Sequence, residues 1–191
     1  MTVGTYTPRE AAVVSGVALA QIQKAISARQ IPARAKGATR RRRLDRTAVL
    51  AFALTASLPR ELRVSPGLAY RLLRDSPATG DGVPDELVIG GAVRIDASAA
   101  LTAARRRLAL CERARKLIVS DPEIMGGTPV IRGTRITARS ILGRIEAGDP
   151  IESILEDYPY LHRDSVEAAV FHAQANPPRG RPAGRLWRRA S

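Results

Sequence analysis

Arginine supplies most of the side chains in this sequence that are able to do chemistry. Lysine and arginine together number 31 against 18 acidic residues, which sets the net charge at +13 and the pI near 11.3. Arg34, Lys36, Arg40, Arg41, Arg42 and Arg43 form one dense run. Such a run suits a polyanion, because each cation that neutralises a phosphate releases a condensed counterion. Just upstream stand Gln21, Gln23, Lys24 and Ser27. These types read base edges: glutamine pairs bidentately with adenine, and lysine reaches guanine or a phosphate. Catalytic constellations are scarce. His162 and His172 do not have the short spacing of helical zinc pairs. Cys111 lies in a helical run with no histidine nearby and reads as a small buried hydrophobe. Asp121 and Glu123 flank Pro122 and suit turn capping better than acid–base work. Gly90-Gly91 lacks the third glycine and the lysine of a phosphate loop. The expectation is a non-enzyme without metal or cofactor.

The elements that must position these residues are legible from their punctuation. Thr7, Pro8 and Glu10 make a complete helix start, and Ser15-Gly16 ends that helix. A second helix is expected over 19–29, burying Ile22 and Ile26 and leaving Gln21, Gln23, Lys24 and Ser27 outward. Two short helices joined by a glycine turn are a helix-turn-helix arrangement. Residues 37–45 read as a basic hairpin, and Asp45 as the cap of an apolar helix over 48–58. In this geometry the second helix enters the major groove while the arginine-bearing hairpin grips phosphates.

A helical pattern over 59–75 leads into the proline- and glycine-rich run 76–84, the best linker candidate. Residues 87–95 read as a hairpin around Gly90-Gly91, and Asp96 as the cap of a helix over 97–116. The arginines of that helix, Arg105 to Arg107, Arg113 and Arg115 with Lys116, are expected to be a solvated face with snorkelling stems. Beyond it, residues 129–131 and 134–136 are short β-type runs broken at Arg132-Gly133. Three short helices follow. Thr137 caps the first, with Ile136 and Ile141 at staple spacing; Asp149 with Pro150 and Glu152 opens the second; Asp164 with Glu167 caps the third. Helices this short must share one core. Ile151, Tyr158, Tyr160, Leu161 and Phe171 are the candidate apolar patch for a copy or a partner.

The motifs carry two resemblances. Asp121 to Gly127, Pro129-Val130, Arg132 to Arg135, Ala147-Gly148, Ile154-Leu155 and Tyr158-Pro159 resemble an antitoxin family catalogued as a domain of unknown function and found beside PIN-like ribonuclease toxins. His162-Arg163 depart from the Thr-Pro more usual there. Tyr6-Thr7, Glu10 to Ala12, Gly16-Val17, Ile31 to Ala33 and Gly37 with Arg40 to Arg42 resemble the winged helix-turn-helix of MerR and phage excisionase proteins, over about residues 5–52. Ala18 and Leu19 depart from its polar helix start. Together the resemblances imply a VapB-like antitoxin that neutralises a PIN-like ribonuclease toxin and binds its own operator DNA. A dimeric transcription regulator without a toxin is the alternative.

The tail enters that implication. Residues 176–191 are dominated by proline, glycine and arginine, yet hold the only tryptophan. No packed unit forms from such a composition alone. The resemblance implies that Arg179, Arg181, Arg185, Leu186, Trp187, Arg188 and Arg189 contact the toxin, with Arg181 or Arg185 pairing its active-site carboxylates. The layout expected is a winged helix-turn-helix domain at 1–75, a linker, hairpin and connecting helix at 76–116, a small hairpin-and-three-helix domain at 117–175, and the basic tail at 176–191. The fold class is mainly α with short β-hairpins: aromatics are only 4%, so the core is aliphatic and alanine-rich. One cysteine fits a reducing cytoplasm, no basic-apolar leader opens the chain, and no apolar run is long enough to span a membrane. A homodimer or a toxin–antitoxin hetero-oligomer is expected.

Overall fold

The computed structural model describes residues 4–36, 41–59, 62, 64–76, 84 and 86–177. Over these residues the chain is mainly helical, with eight α-helices and short antiparallel strand pairs. Helix α1 (Pro8–Ser15) opens with the expected capping box. Thr7 Oγ1 accepts from the Glu10 N–H at 3.1 Å, and Glu10 Oε2 accepts from the Thr7 N–H at 2.7 Å. Two otherwise unpaired donors are satisfied reciprocally. Gly16 ends α1 in the left-handed region at φ 74°. Helix α2 (Leu19–Ser27) buries Ile22, Ala25 and Ile26 and has no side-chain cap, because Ala18 has nothing to offer.

Strand β1 (Arg34–Lys36) pairs with β2 (Arg41–Arg43), Arg34 opposite Arg43. The hairpin thus begins three residues before the glycine at which the sequence suggests a start. Leu44 and Tyr6 exchange two backbone hydrogen bonds of 2.8 Å, which ties the hairpin to the segment ahead of α1. Asp45 caps α3 (Arg46–Ser57) by accepting from the Ala48 N–H at 2.7 Å. Its other oxygen accepts from the Tyr70 hydroxyl at 3.0 Å, on α4 (Pro66–Asp75). Residues 48–54 of α3 are all buried, as an apolar run without polar interruption demands.

Strands β3 (Glu86–Ile89) and β4 (Val93–Asp96) form the expected hairpin, with Gly90 and Gly91 both at positive φ. Helix α5 (Ser98–Leu117) follows. Asp96 accepts from the Ser98 N–H at 2.8 Å, but Ala97 is the capping position, so the aspartate serves from one residue further out. Leu101, Ala104, Leu108, Cys111 and Ala114 form its buried stripe at three- and four-residue spacing.

The C-terminal part differs from expectation in its details. Strand β6 (Val130–Ile131) pairs with β5 (Ile118–Val119). The hairpin expected around Gly133 is reduced to the bridge Val130 to Thr137, where the Ile131 N–H donates to the Ile136 carbonyl and the Ala138 N–H to the Pro129 carbonyl, both at 2.9 Å. Thr137 caps α6 (Ala138–Glu146) as expected. Asp149 does not cap α7 (Ile151–Asp157): its carboxylate accepts from Arg144 Nε at 2.6 Å, and Pro150 holds the capping position. Nor do Asp164 and Glu167 cap α8 (Arg163–Ala175). Asp164 pairs with Arg113 and Glu167 with Arg163, leaving His162 at the cap without a side-chain bond. In each case a nearby guanidinium outcompetes a backbone N–H for the carboxylate, since a charge-assisted bond is the stronger one.

Helix α8 has two buried faces. Ala168, Phe171 and Ala175 belong to one hydrophobic cluster, shared with α1, α3 and α5. Val166, Ala169 and Ala173 belong to a second, shared with α6, α7 and the β5–β6 pair. No described helix is long and apolar enough to cross a membrane.

Candidate nucleic-acid interface

The burial of Ile22, Ala25 and Ile26 fixes the rotation of α2, and everything opposite that stripe faces solvent. Gln21, Gln23, Lys24 and Ser27 are all exposed. The α1–α2 turn and the β1–β2 hairpin hold this face in place from either end. Arg42 Nη1 donates to Ser27 Oγ at 3.2 Å, which brings hairpin and helix together through an exposed contact. Between them lies a depression of about 250 Å³ bounded by Ile26, Arg29, Ile31, Pro32, Ala33 and Arg42. Arg34 is exposed as well. Arg43 is turned inward: its Nη1 lies 3.8 Å from Glu10 Oε2. Arg40 lies outside the described residues, as do Arg179, Arg181, Arg185, Leu186, Trp187, Arg188 and Arg189. Lys36 and Arg41 are placed by backbone register alone, opposite one another.

Arg29 was not singled out by its sequence. It ends the α2 turn in the left-handed region, at φ 54°, while the Gln30 N–H reaches back to the Ala25 carbonyl at 3.0 Å. That closure normally recruits glycine. An arginine there carries backbone strain, and strain of this kind gathers at functional positions. The only available signal was the absence of a glycine where one helix had to end.

A second group lies behind the interface. Arg115 Nη2 donates to both oxygens of Glu10, at 3.0 and 3.1 Å, and to the Thr5 carbonyl at 2.8 Å. Its guanidinium sits 5.0 Å from the centre of the Tyr6 ring, whose hydroxyl donates to Glu112 Oε1 at 2.8 Å. Burial, with the Glu112 carboxylate second, raises the Tyr6 phenol above its ordinary range. Burial, then the Glu10 carboxylate, pushes the Cys111 thiol up to about 12. A protonated buried thiol is a poor nucleophile. Arg107 and Arg115 of α5 are exposed and Arg113 half-buried, yet all three are also ties: Arg115 to Glu10, Arg113 to Asp164, and Arg107 to the Val14 carbonyl at 3.2 Å.

His162 and His172 stand at opposite ends of α8, and among the described residues no three of His, Cys, Asp and Glu gather as a metal site. The apolar patch expected of the C-terminal helices is only partly a surface. Leu161 and Phe171 are core, Ile151 and Tyr158 are half-buried, and Tyr160 alone of the five is widely exposed.

Comparison with known proteins gives a family match in the C-terminal part of the chain. Residues 118–173 match the family model described as a protein of unknown function, DUF433. These residues are the β5–β6 pair and α6 to α8, the part whose punctuation carries the first resemblance. A curated relative, the uncharacterized protein y4eO of Sinorhizobium fredii, is 39% identical over 87 residues. That match takes in 46% of this chain and 39% of the relative's length. The X-ray crystal structure of Rv2018 from Mycobacterium tuberculosis aligns over 86% of this chain and 96% of its own, at 18% identity and a TM-score of 0.32.

Proposed function

We propose that this chain is a DNA-binding antitoxin, which contacts its own operator through the outward face of α2 and the β1–β2 hairpin and neutralises a PIN-like ribonuclease toxin with its C-terminal region. The observation that carries the DNA half is the linked surface of Gln21, Gln23, Lys24, Ser27 and Arg42, exposed on an amphipathic helix whose other face is buried. A helix so presented matches the major groove in width, and an arginine-bearing hairpin beside it is placed for phosphates. The net charge of +13 supplies sequence-independent attraction. The Ser27–Arg42 contact supports treating helix and hairpin as one surface, and Arg43 is assigned to the frame through Glu10.

The toxin half rests on the antitoxin resemblance of residues 118–173 and on the tail chemistry. The test has two arms. Expressing the neighbouring reading frame alone should arrest growth, and co-expressing this chain should relieve it; a harmless neighbour would leave a transcription regulator without a toxin. For the DNA arm, binding to the upstream region is measured against salt. Arg42→Ala should lower affinity across all sequences and reduce the salt slope by about one. Lys24→Ala together with Gln21→Ala should instead relax discrimination between operator and random DNA. Binding unchanged by all three substitutions would remove this face from the interface.

A further inference from the structure

An apolar groove of about 420 Å³ lies where the two hydrophobic clusters meet. Val13 of α1, Leu110 of α5, Ile145 of α6, Ile151 of α7 and Val170 of α8 all line it, and all five are half-buried. Phe171 lies buried beneath them. The rim is polar: Arg107, Glu167 and Gln174. Arg107 is turned to the Val14 carbonyl at 3.2 Å, and Glu167 holds Arg163 at 3.2 Å. Half-covered aliphatic side chains converging from five helices have the makeup of a site for an apolar anchor with a polar surround.

We propose that the occupant is the chain's own tail, with Leu186 and Trp187 seated in this groove. Three observations point there. The first is place: Gln174 is on the rim, and α8 ends one residue later, at Ala175. The chain leaves the described structure at Pro177, so the tail sets out from the groove's edge. The second is length. Nine further residues lead from Pro177 to Leu186, a reach of about 30 Å when extended. Returning alongside α8 from Gln174 to Glu167 requires about 10 Å, so the span is ample. The third is chemistry. Leu186-Trp187 is the one large apolar pair in this segment, and it matches the aliphatic lining of Val13, Leu110, Ile145, Ile151 and Val170. A docked tail is withheld from any outside partner, which must compete with the groove to engage it. The inference does not depend on whether that partner is a toxin.

Trp187 is the only tryptophan, so intrinsic fluorescence of the full chain reads its surroundings directly. The free peptide 178–191 serves as the exposed reference. In the full chain, emission should be blue-shifted and acrylamide quenching several-fold weaker than in the peptide, and both should hold on dilution. Val170→Glu or Leu110→Glu should return emission and quenching to the peptide's values, with far-UV circular dichroism checking the fold. A peptide 178–191 carrying Trp187→Phe should do the same to the unaltered protein by displacement, which needs no substitution in the folded part. Quenching as strong as in the free peptide overturns the proposal. So does shielding that survives both groove variants and the competitor, or shielding that fades on dilution, which would place Trp187 against a second copy.

Discussion

Glu10 does three jobs at once, and it shows how one side chain organises the region behind the candidate interface. It closes the capping box of α1, takes a two-pronged bond from Arg115 of α5 and stands 3.8 Å from Arg43 of the hairpin. Only the first of these jobs is local, and only that one follows from spacing in the sequence. His172 lies within reach of the same charge. Burial lowers its pKa from 6.5, against the Glu10 carboxylate, which favours the protonated ring. A depressed histidine pKa means that the unfolded chain binds more protons between the folded value and 6.5. Stability is therefore full above pH 6.5 and declines as pH falls below it. Thermal unfolding followed from pH 7.5 to 5.5 should show this decline, and His172→Gln should flatten it. An unchanged pH profile in the variant would mean that another group is responsible. Arg29 invites a different test. Replacing a left-handed arginine by glycine removes the steric strain of its side chain, so Arg29→Gly should raise stability by about 0.5–1 kcal/mol. If the strain serves the interface, DNA affinity should fall in the same variant; a stability gain with undiminished binding would make Arg29 a purely structural exception.

Among the elements, those whose limits are written locally were readable and those settled by competition were not. Thr7, Asp45 and Thr137 each cap the helix their spacing implies, and Gly90-Gly91 turns the hairpin expected there. The caps proposed for α7 and α8 fail because Arg144 and the pair Arg113 and Arg163 claim the acidic groups. Those arginines are four to fifty-one residues away in sequence, and only the Arg163–Glu167 pair, at i, i+4, has a local spacing that could announce it. The partner of β6 was missed for a related reason: a two-residue strand carries no register information, and Ile118-Val119 comes to it across a long connection. The candidate interface divides the same way. Exposure of Gln21, Gln23 and Lys24 follows from the α2 periodicity alone, whereas the inward turn of Arg43 needed Glu10. Gly67 is a tertiary feature of this kind. A Cβ there would stand 2.9 Å from the Gln30 carbonyl oxygen and 3.4 Å from its Cβ, so α4 packs against the chain leaving α2 at a distance only glycine permits. Gly67→Ala should destabilise by about 1–3 kcal/mol, despite alanine's better helix propensity. Chemical denaturation measures this, and a stabilised variant would show that the helix end shifts freely.

At the scale of the whole molecule, α8 decides whether the chain behaves as one unit or two. The motifs divide it into an N-terminal part that carries the candidate interface and the family-matched residues 118–173, yet the last helix of the second part packs into the core of the first. Its residues 168, 171 and 175 recur at the spacing of one helical face and residues 166, 169 and 173 at that of another, so one rigid element carries both clusters. The ties between Arg113 and Asp164 and the stripe of α5 beneath α8 lie on the same seam. Neither cluster can lose α8 without exposing apolar surface, and coupling through a shared helix makes unfolding cooperative. Phe171→Ala, on the first face, should cost about 3–5 kcal/mol, and Val166→Ala, on the second, about 2 kcal/mol. Calorimetry should show a single transition that both substitutions move to lower temperature. Two transitions, each shifted by one substitution alone, would instead make α8 a removable lid on an N-terminal unit that is stable without it. A partner gripping the C-terminal region then could not alter the N-terminal half through the fold. With one transition, the free energy of such a partner's binding stabilises the α2 surface as well, since whatever binds the folded state stabilises every part that unfolds with it.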